Sequence, residues 1–215
     1  MIVLPLTYLG STGWFSSLLA GDCVVDPFEP WIKQTERNRC TILSANGPVL
    51  LTVPVVARDG RRRTGEVRID YSKRWQHQHW MSLVSAYRNS PYFDYFAERF
   101  EPFYRERWEL LADYDLALVR LCLELMGVSR EVPLAEAPVV LTAADTDLRP
   151  KQRKEGGAAQ GDPVCWHPAR WDEHPLPAYT QVFADRFGFV PGLSIIDLVC
   201  CEGPRAVEKL IPHRY

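Results

Sequence analysis

The 215-residue chain contains no Cys-x-x-Cys pair and no HExxH, GxSxG or GxGxxG motif. Those absences remove the sequence signatures of zincins, serine hydrolases of the nucleophile-elbow type and dinucleotide-binding enzymes. The six cysteines (23, 40, 122, 165, 200 and 201) show no ligand spacing with the five histidines, so neither a metal nor a cofactor is expected. No apolar run approaches the ~18 residues that span a bilayer, and no transmembrane segment is expected. The N-terminus MIVLPLTYLGSTGWF has no basic stretch before its apolar residues, so it does not read as a secretory signal. Reduced thiols and a cytoplasmic protein are the resulting expectation. Neither charge sign dominates: 25 Lys and Arg stand against 27 Asp and Glu, which gives no global pull toward nucleic acid or anionic membrane. No internal repeat is present.

What is present reads as one α/β domain over 1–215. Residues 2–9, IVLPLTYL, suggest a short buried strand, and the turn at Gly10–Gly13 leads into a helix with Trp14, Phe15, Leu18 and Leu19 at helical spacing. Cys23–Val25 reads as a second strand, parallel to the first if the crossover is right-handed. Residues 39–44 and 49–56 suggest a hairpin around Asn46-Gly47, with Pro48 lengthening the loop and Pro54 marking an edge. EVRIDY (66–71) alternates as a half-buried strand. The middle is helical: Trp75, His79, Leu83 and Tyr87 form an apolar stripe. Tyr92 to Phe100 continue in a shorter helix, and Asp113 is placed to cap a longer one that Gly127 closes. VVLT (139–142) reads as a strand. The polar stretch at about 151–163 has almost nothing to bury and is expected to be mobile. Ser194 with Asp197 suggests a capped core helix. The fold class is therefore α/β: an N-terminal strand-helix-strand and hairpin sheet packed against a mainly helical middle and C-terminal region.

The densest polar cluster is WIKQTERNRC (31–40). If extended, it places Arg37 and Arg39 on one face, and two forked guanidiniums suit a phosphate or carboxylate. The competing reading is a solvated edge strand whose arginines pair with Glu29 and Glu36. His77 and His79 lie about 160° apart on a helix and cannot share a metal. His79, within the apolar stripe, is either a hydrogen-bonded core residue or a tuned general base. Cys40 beside Arg39 is a weak candidate nucleophile. RDGRRRTG (58–65) could hold an anion, although its glycines follow no phosphate-loop pattern, and a solvated hairpin tip is favoured.

Long blocks of the chain resemble the WbqC-like family. They are LPLTYLGSTGWFSSL, WIKQTERNRCTI, GPVLLTVPV, RWQHQHWMSLVSAYRNSPYFDYF, DLRPK and AYTQVFADRFGFVPGLSIIDLVCCEGP, in order along nearly the whole length. Position 77 is not usually histidine in such sequences, which leaves His79 as the matching residue; Cys200 and Cys201 stand where other members often differ. The resemblance implies a bacterial protein associated with surface-polysaccharide or O-antigen biosynthesis, and it singles out Lys33, Gln34, Arg37, Asn38, Arg39, His79, Tyr87 and Arg149. The reading is a cytoplasmic transferase acting on a sugar or sugar-nucleotide precursor. Lys33, Gln34, Arg37, Asn38, Arg39 and Arg149 would bind an anionic or nucleotide-sugar ligand, and His79 would be the proton acceptor with Asp70 or Tyr87 nearby. The alternative is a non-catalytic binding or adaptor protein of a polysaccharide assembly pathway. No nucleic-acid partner is expected, and the oligomeric state is open.

Overall fold

A computed structural model of the chain describes residues 1–56, 62–150 and 176–211. The 151–163 stretch and residues 58–61 of the 58–65 loop lie outside these residues.

Strand β1 (Ile2–Leu4), helix α1 (Thr12–Leu19) and strand β2 (Cys23–Val25) form a minimal parallel crossover, with Ile2, Val3 and Leu4 opposite Cys23, Val24 and Val25. The N-cap of α1 is Ser11, whose Oγ accepts from the Trp14 amide at 3.3 Å. Seven of its eight residues are buried, so the helix is held by packing on all sides rather than by one apolar stripe.

Strands β3 (Arg39–Ser44) and β4 (Gly47–Thr52) pair antiparallel in a separate two-stranded sheet. The hairpin loop is only Ala45-Asn46. Pro48 does not lengthen it but sits within β4 opposite Leu43, tolerated because β4 has no second neighbour among the described strands.

Helices α2 (Trp75–Tyr87), α3 (Phe93–Phe100) and α4 (Leu111–Leu125) follow the hairpin, and α5 (Ala184–Phe187) lies beyond the last strand. The Trp75, His79, Leu83 and Tyr87 stripe is buried, as its spacing indicates. Helix α4 begins two residues before Asp113, which falls in the first turn, where its charge complements the positive end of the helix dipole; Leu110 is the N-cap.

Strand β5 (Thr146–Asp147) completes the first sheet in the order β2-β1-β5, all parallel, with Thr146 opposite Ile2 and Asp147 opposite Val3. It lies four residues beyond the expected VVLT strand, where Val140 is 84% exposed. Residues 66–71 also differ from expectation. Val67 and Ile69 are buried in alternation with exposed neighbours, but the backbone makes only single bridges, Val55 to Ile69 and Arg68 to Leu110. Alternation reported the buried face there and not the presence of a pairing partner.

Helices α6 (Ile195–Glu202) and α7 (Ala206–Leu210) return to the start of the chain. Ile195, Ile196, Leu198 and Val199 share one hydrophobic core with Leu4, Trp14, Phe15 and the α4 residues. Among the described residues no helix is long and apolar enough to cross a membrane.

Candidate functional site

The carboxyl ends of β2, β1 and β5 open on one edge of the sheet. The chain leaves β1 for β2 on one side, and β5 arrives on the other, which makes the exit of β1 a topological switch point. In open parallel sheets that crevice is the habitual ligand site.

Charged residues crowd this exit. Asp26 directly follows β2, and Arg149 follows β5. The Arg149 guanidinium donates from Nη1 to Asp26 Oδ2 at 2.5 Å and from Nε to Asp147 Oδ1 at 2.8 Å. These bonds, those to Asp147 foremost, raise the Arg149 pKa further. Its side chain is 16% exposed, against 1% for Asp26. Deeper in, Arg37 is fully buried. It makes a bidentate pair with Glu29, Nε to Oε1 at 2.8 Å and Nη2 to Oε2, while Nη1 donates to Thr35 Oγ1 at 3.0 Å. Burial pushes the Glu29 carboxyl up to about 7 against the opposing pull of Arg37, and Asp26 and Arg149 are near enough to act on it. The two ion pairs thus form one electrostatic cluster.

The segment that carries Arg37 turns rather than extends. Gln34 takes a φ of +64°, unusual for a residue with a Cβ, and Thr35 to Asn38 form a turn closed by Asn38 N to Thr35 O at 3.3 Å. Arg37 and Arg39 therefore do not share a face. Arg37 points inward to Glu29, the pairing that the competing edge-strand reading named. Lys33 and Gln34 are exposed. Asn38 donates to the Val53 carbonyl at 2.8 Å and so ties the turn to the end of β4. Arg39 opens β3 with its Nε buried and without a hydrogen-bond partner among the described residues, and desolvation lowers its pKa.

Glu36 faces the other way. Its Oε2 accepts from the Ser11 amide and the Ser11 hydroxyl, both at 3.4 Å, while its backbone carbonyl accepts from the Tyr8 amide at 2.8 Å. The N-termini of α1 and α6 meet here. Ser11 and Ser194 form an antiparallel bridge, Ile195 N donates to Gly10 O at 2.8 Å, and Ser194 Oγ donates to Leu9 O at 2.6 Å. Two helix N-termini favour a carboxylate beside them. Leu9 is held at φ +45°, and a Cβ on Gly10 would lie 2.7 Å from the Thr7 side chain, so this strand-to-helix turn is tight. A cavity of about 10 Å³, one water in size, lies among Ser11, Glu36, Cys40 and Ser194. Burial raises the Cys40 thiol pKa, so it is not a ready thiolate.

His79 occupies a different environment. Its ring is 5% exposed and Nδ1 lies 2.9 Å from the Tyr8 hydroxyl, which is itself 3.2 Å from that of Tyr104. The Thr52 backbone engages the imidazole as well. The Trp75 ring stands edge-on at 5.1 Å. Burial lowers the His79 pKa to about 4, so the ring is neutral at pH 7. Asp70 is not among its partners: the Asp70 carboxylate accepts from the Ser72 amide at 2.8 Å in an exposed turn, which lowers its pKa. Tyr87 is buried one turn beyond Leu83, facing Asp197 rather than His79, with its pKa raised well above the ordinary range by burial.

The structure thus brings Arg37 and Arg149 into one cluster and disperses Lys33, Gln34 and Arg39 around it. Asn38 anchors the turn, while His79, Asp70 and Tyr87 stand in three separate settings. Ser11, Asp26, Asp147 and Glu36 were not singled out as site residues from sequence. The available signal was position: Asp26 and Asp147 stand at or just past the end of a parallel strand, and Ser11 caps the helix that follows β1. Among the described residues no group of three or more His, Cys, Asp and Glu side chains could hold a metal ion.

A family model described as the WbqC-like protein family matches residues 7–150, the part of the chain that contains the whole charged cluster. No curated protein and no solved structure matches the chain.

Proposed function

The chain belongs to the WbqC-like protein family, and on that premise we propose that it is a transferase acting on a sugar or sugar-nucleotide precursor of a surface polysaccharide, with its ligand at the exit of β1. The observation that carries this reading is the pair of linked ion pairs, Asp26–Arg149–Asp147 and Glu29–Arg37, at the switch point. Burying such charges is costly, and well-packed apolar residues would serve stability as well or better. Charges kept there at that cost point to recognition.

In this reading Arg149 is the reachable cation. Its two acids fix the fork, and its exposed edge meets a phosphate of the donor. Arg37 and Glu29 position the floor beneath it. Glu36, bonded to Ser11 and facing away from Arg149, positions the turn that carries Arg37. His79 positions Tyr8, and through it the β1–α1 turn. A second reading, a non-catalytic binding protein, is favoured by one fact: His79 is buried with its Nδ1 engaged by Tyr8, so it is closed to a substrate.

A thermal-shift screen of nucleotide-sugars on the full chain tests both. A ligand at 100 Kd adds about 2.7 kcal/mol to stability. Arg149→Lys is expected to weaken that ligand at least tenfold, because charge survives and the fork does not. Turnover, read as nucleotide release with an acceptor sugar present, should fall in the same variant. Binding without turnover in the parent chain would select the second reading, and no stabilisation by any nucleotide-sugar would remove both.

A further inference from the structure

A second site lies away from the charged cluster. The turn after α2 (Asn89, Ser90, Pro91) and the segment Thr180–Arg186 enclose a cavity of about 500 Å³, closed on one side by Cys201 of α6. That size is within the roughly 300–1,000 Å³ of small-molecule sites.

Its wall is rigid. The Gln181 side chain is 2% exposed and saturated: Oε1 accepts from the Val190 amide at 2.8 Å, and Nε2 donates to the Val190 carbonyl at 2.8 Å and reaches the Tyr179 hydroxyl at 3.3 Å. Tyr179 in turn donates to Asp197 Oδ1 at 2.8 Å. Ser90 is likewise spent, its hydroxyl donating to the Tyr87 carbonyl at 2.6 Å.

The polar groups at the mouth are not spent. Asn89, Thr180 and Asp185 are exposed, and among the described residues their side chains make no hydrogen bond or ion pair; Arg186 only lies against the Phe187 ring, 5.5 Å from its centroid. Pro91, Val182 and Phe183 add apolar lining. One carboxylate and one guanidinium leave the mouth with no net charge, which argues against a phosphate or another polyanion. An apolar lining with an aromatic ring, rimmed by an amide, a hydroxyl, a carboxylate and a guanidinium, complements a ligand with one C–H face and a belt of hydroxyls.

We propose that this pocket binds a neutral sugar, a pyranose laid on Phe183 with its hydroxyls bonded to Asn89, Thr180 and Asp185. The segment that forms its second half lies beyond residue 150, outside the family match, whereas the charged cluster lies within it. That the bound sugar is the acceptor rests on the transferase reading; that the pocket binds sugar does not.

Isothermal titration of the full chain with lactose, maltose, chitobiose and a rhamnose disaccharide tests the site. At least one should bind saturably at millimolar concentration or tighter. Asp185→Ala and Asn89→Ala, both at exposed positions that leave the core untouched, should each weaken it at least tenfold, whereas Arg149→Lys should not. Absence of saturable binding across the four, or binding unchanged in both variants, would overturn the proposal. Loss in Arg149→Lys alone would place the sugar at the strand exit instead. Nucleotide-sugar binding that survives Asp185→Ala separates failure here from failure at the charged cluster.

Discussion

Two polar clusters are buried in this protein by opposite means. At the exit of β1, Asp26, Glu29, Arg37, Arg149 and Asp147 are joined by short ion pairs. Under α2, His79, Tyr8, Tyr104 and Tyr114 carry no charge. The imidazole is neutral, the phenols are held protonated by burial, and hydroxyls pass hydrogen bonds among aromatic rings. An ionic cluster presents a field to a ligand, while a neutral one only fixes shape. Tyr8, in the segment that leads from β1 to α1, joins the two through its backbone bond to Glu36 and its hydroxyl contact with His79.

The contrast predicts the largest loss where one charge is left alone. Arg37→Met strands Glu29 at 3% side-chain exposure and is expected to cost about 3–5 kcal/mol in urea denaturation. Adding Glu29→Leu should recover most of that. A double variant no better than the single would mean that shape rather than charge governs the site.

His79→Phe should cost less, about 1–3 kcal/mol at pH 7, from the lost bonds to Tyr8 and Thr52. It also changes the pH dependence. His79 is lowered from 6.5 to about 4, so its contribution is complete above pH 6.5 and falls away as pH drops toward 4, by about 3 kcal/mol in all. Asp197 is raised by burial from 3.8 to about 6, so its contribution is complete below pH 4 and is lost as pH rises through 6. The two oppose each other in the parent. Stability of His79→Phe between pH 4 and 6.5 should therefore fall more steeply with rising pH. An unchanged slope would contradict a neutral buried ring.

The smallest effect is a gain. Asp115 on α4 is 1% exposed, and neither carboxylate oxygen has a hydrogen-bond partner among the described residues, so burial raises its pKa well above 3.8. Its contribution is complete below about pH 4 and is lost as pH rises. Asp115→Asn should be neutral at pH 4 and stabilise by about 1–2 kcal/mol at pH 8. Destabilisation at pH 8 would reveal a bond to the ionised form.

Much of the fold is legible without coordinates where the signal is periodic. The α2 stripe, the α1 turn, the hairpin at Asn46 and the Ser194 cap all follow from spacing and turn chemistry within a few residues. Legibility fails where a partner decides. VVLT has better strand propensity than Thr146-Asp147, yet the latter pairs with β1. The turn at Thr35–Asn38 defeats the assumption of extended alternation, and with it the shared face of Arg37 and Arg39.

Spacing alone places the buried stripe of α2, because 3.6-residue periodicity is local and hydrophobic burial follows it. The charged cluster is set by long-range docking instead. Asp26 and Arg149 are 123 positions apart and Tyr8 and His79 are 71 apart. Whether an arginine meets an acid or a solvent-facing ligand depends on where β5 docks, a long-range pairing that no short window of residues encodes.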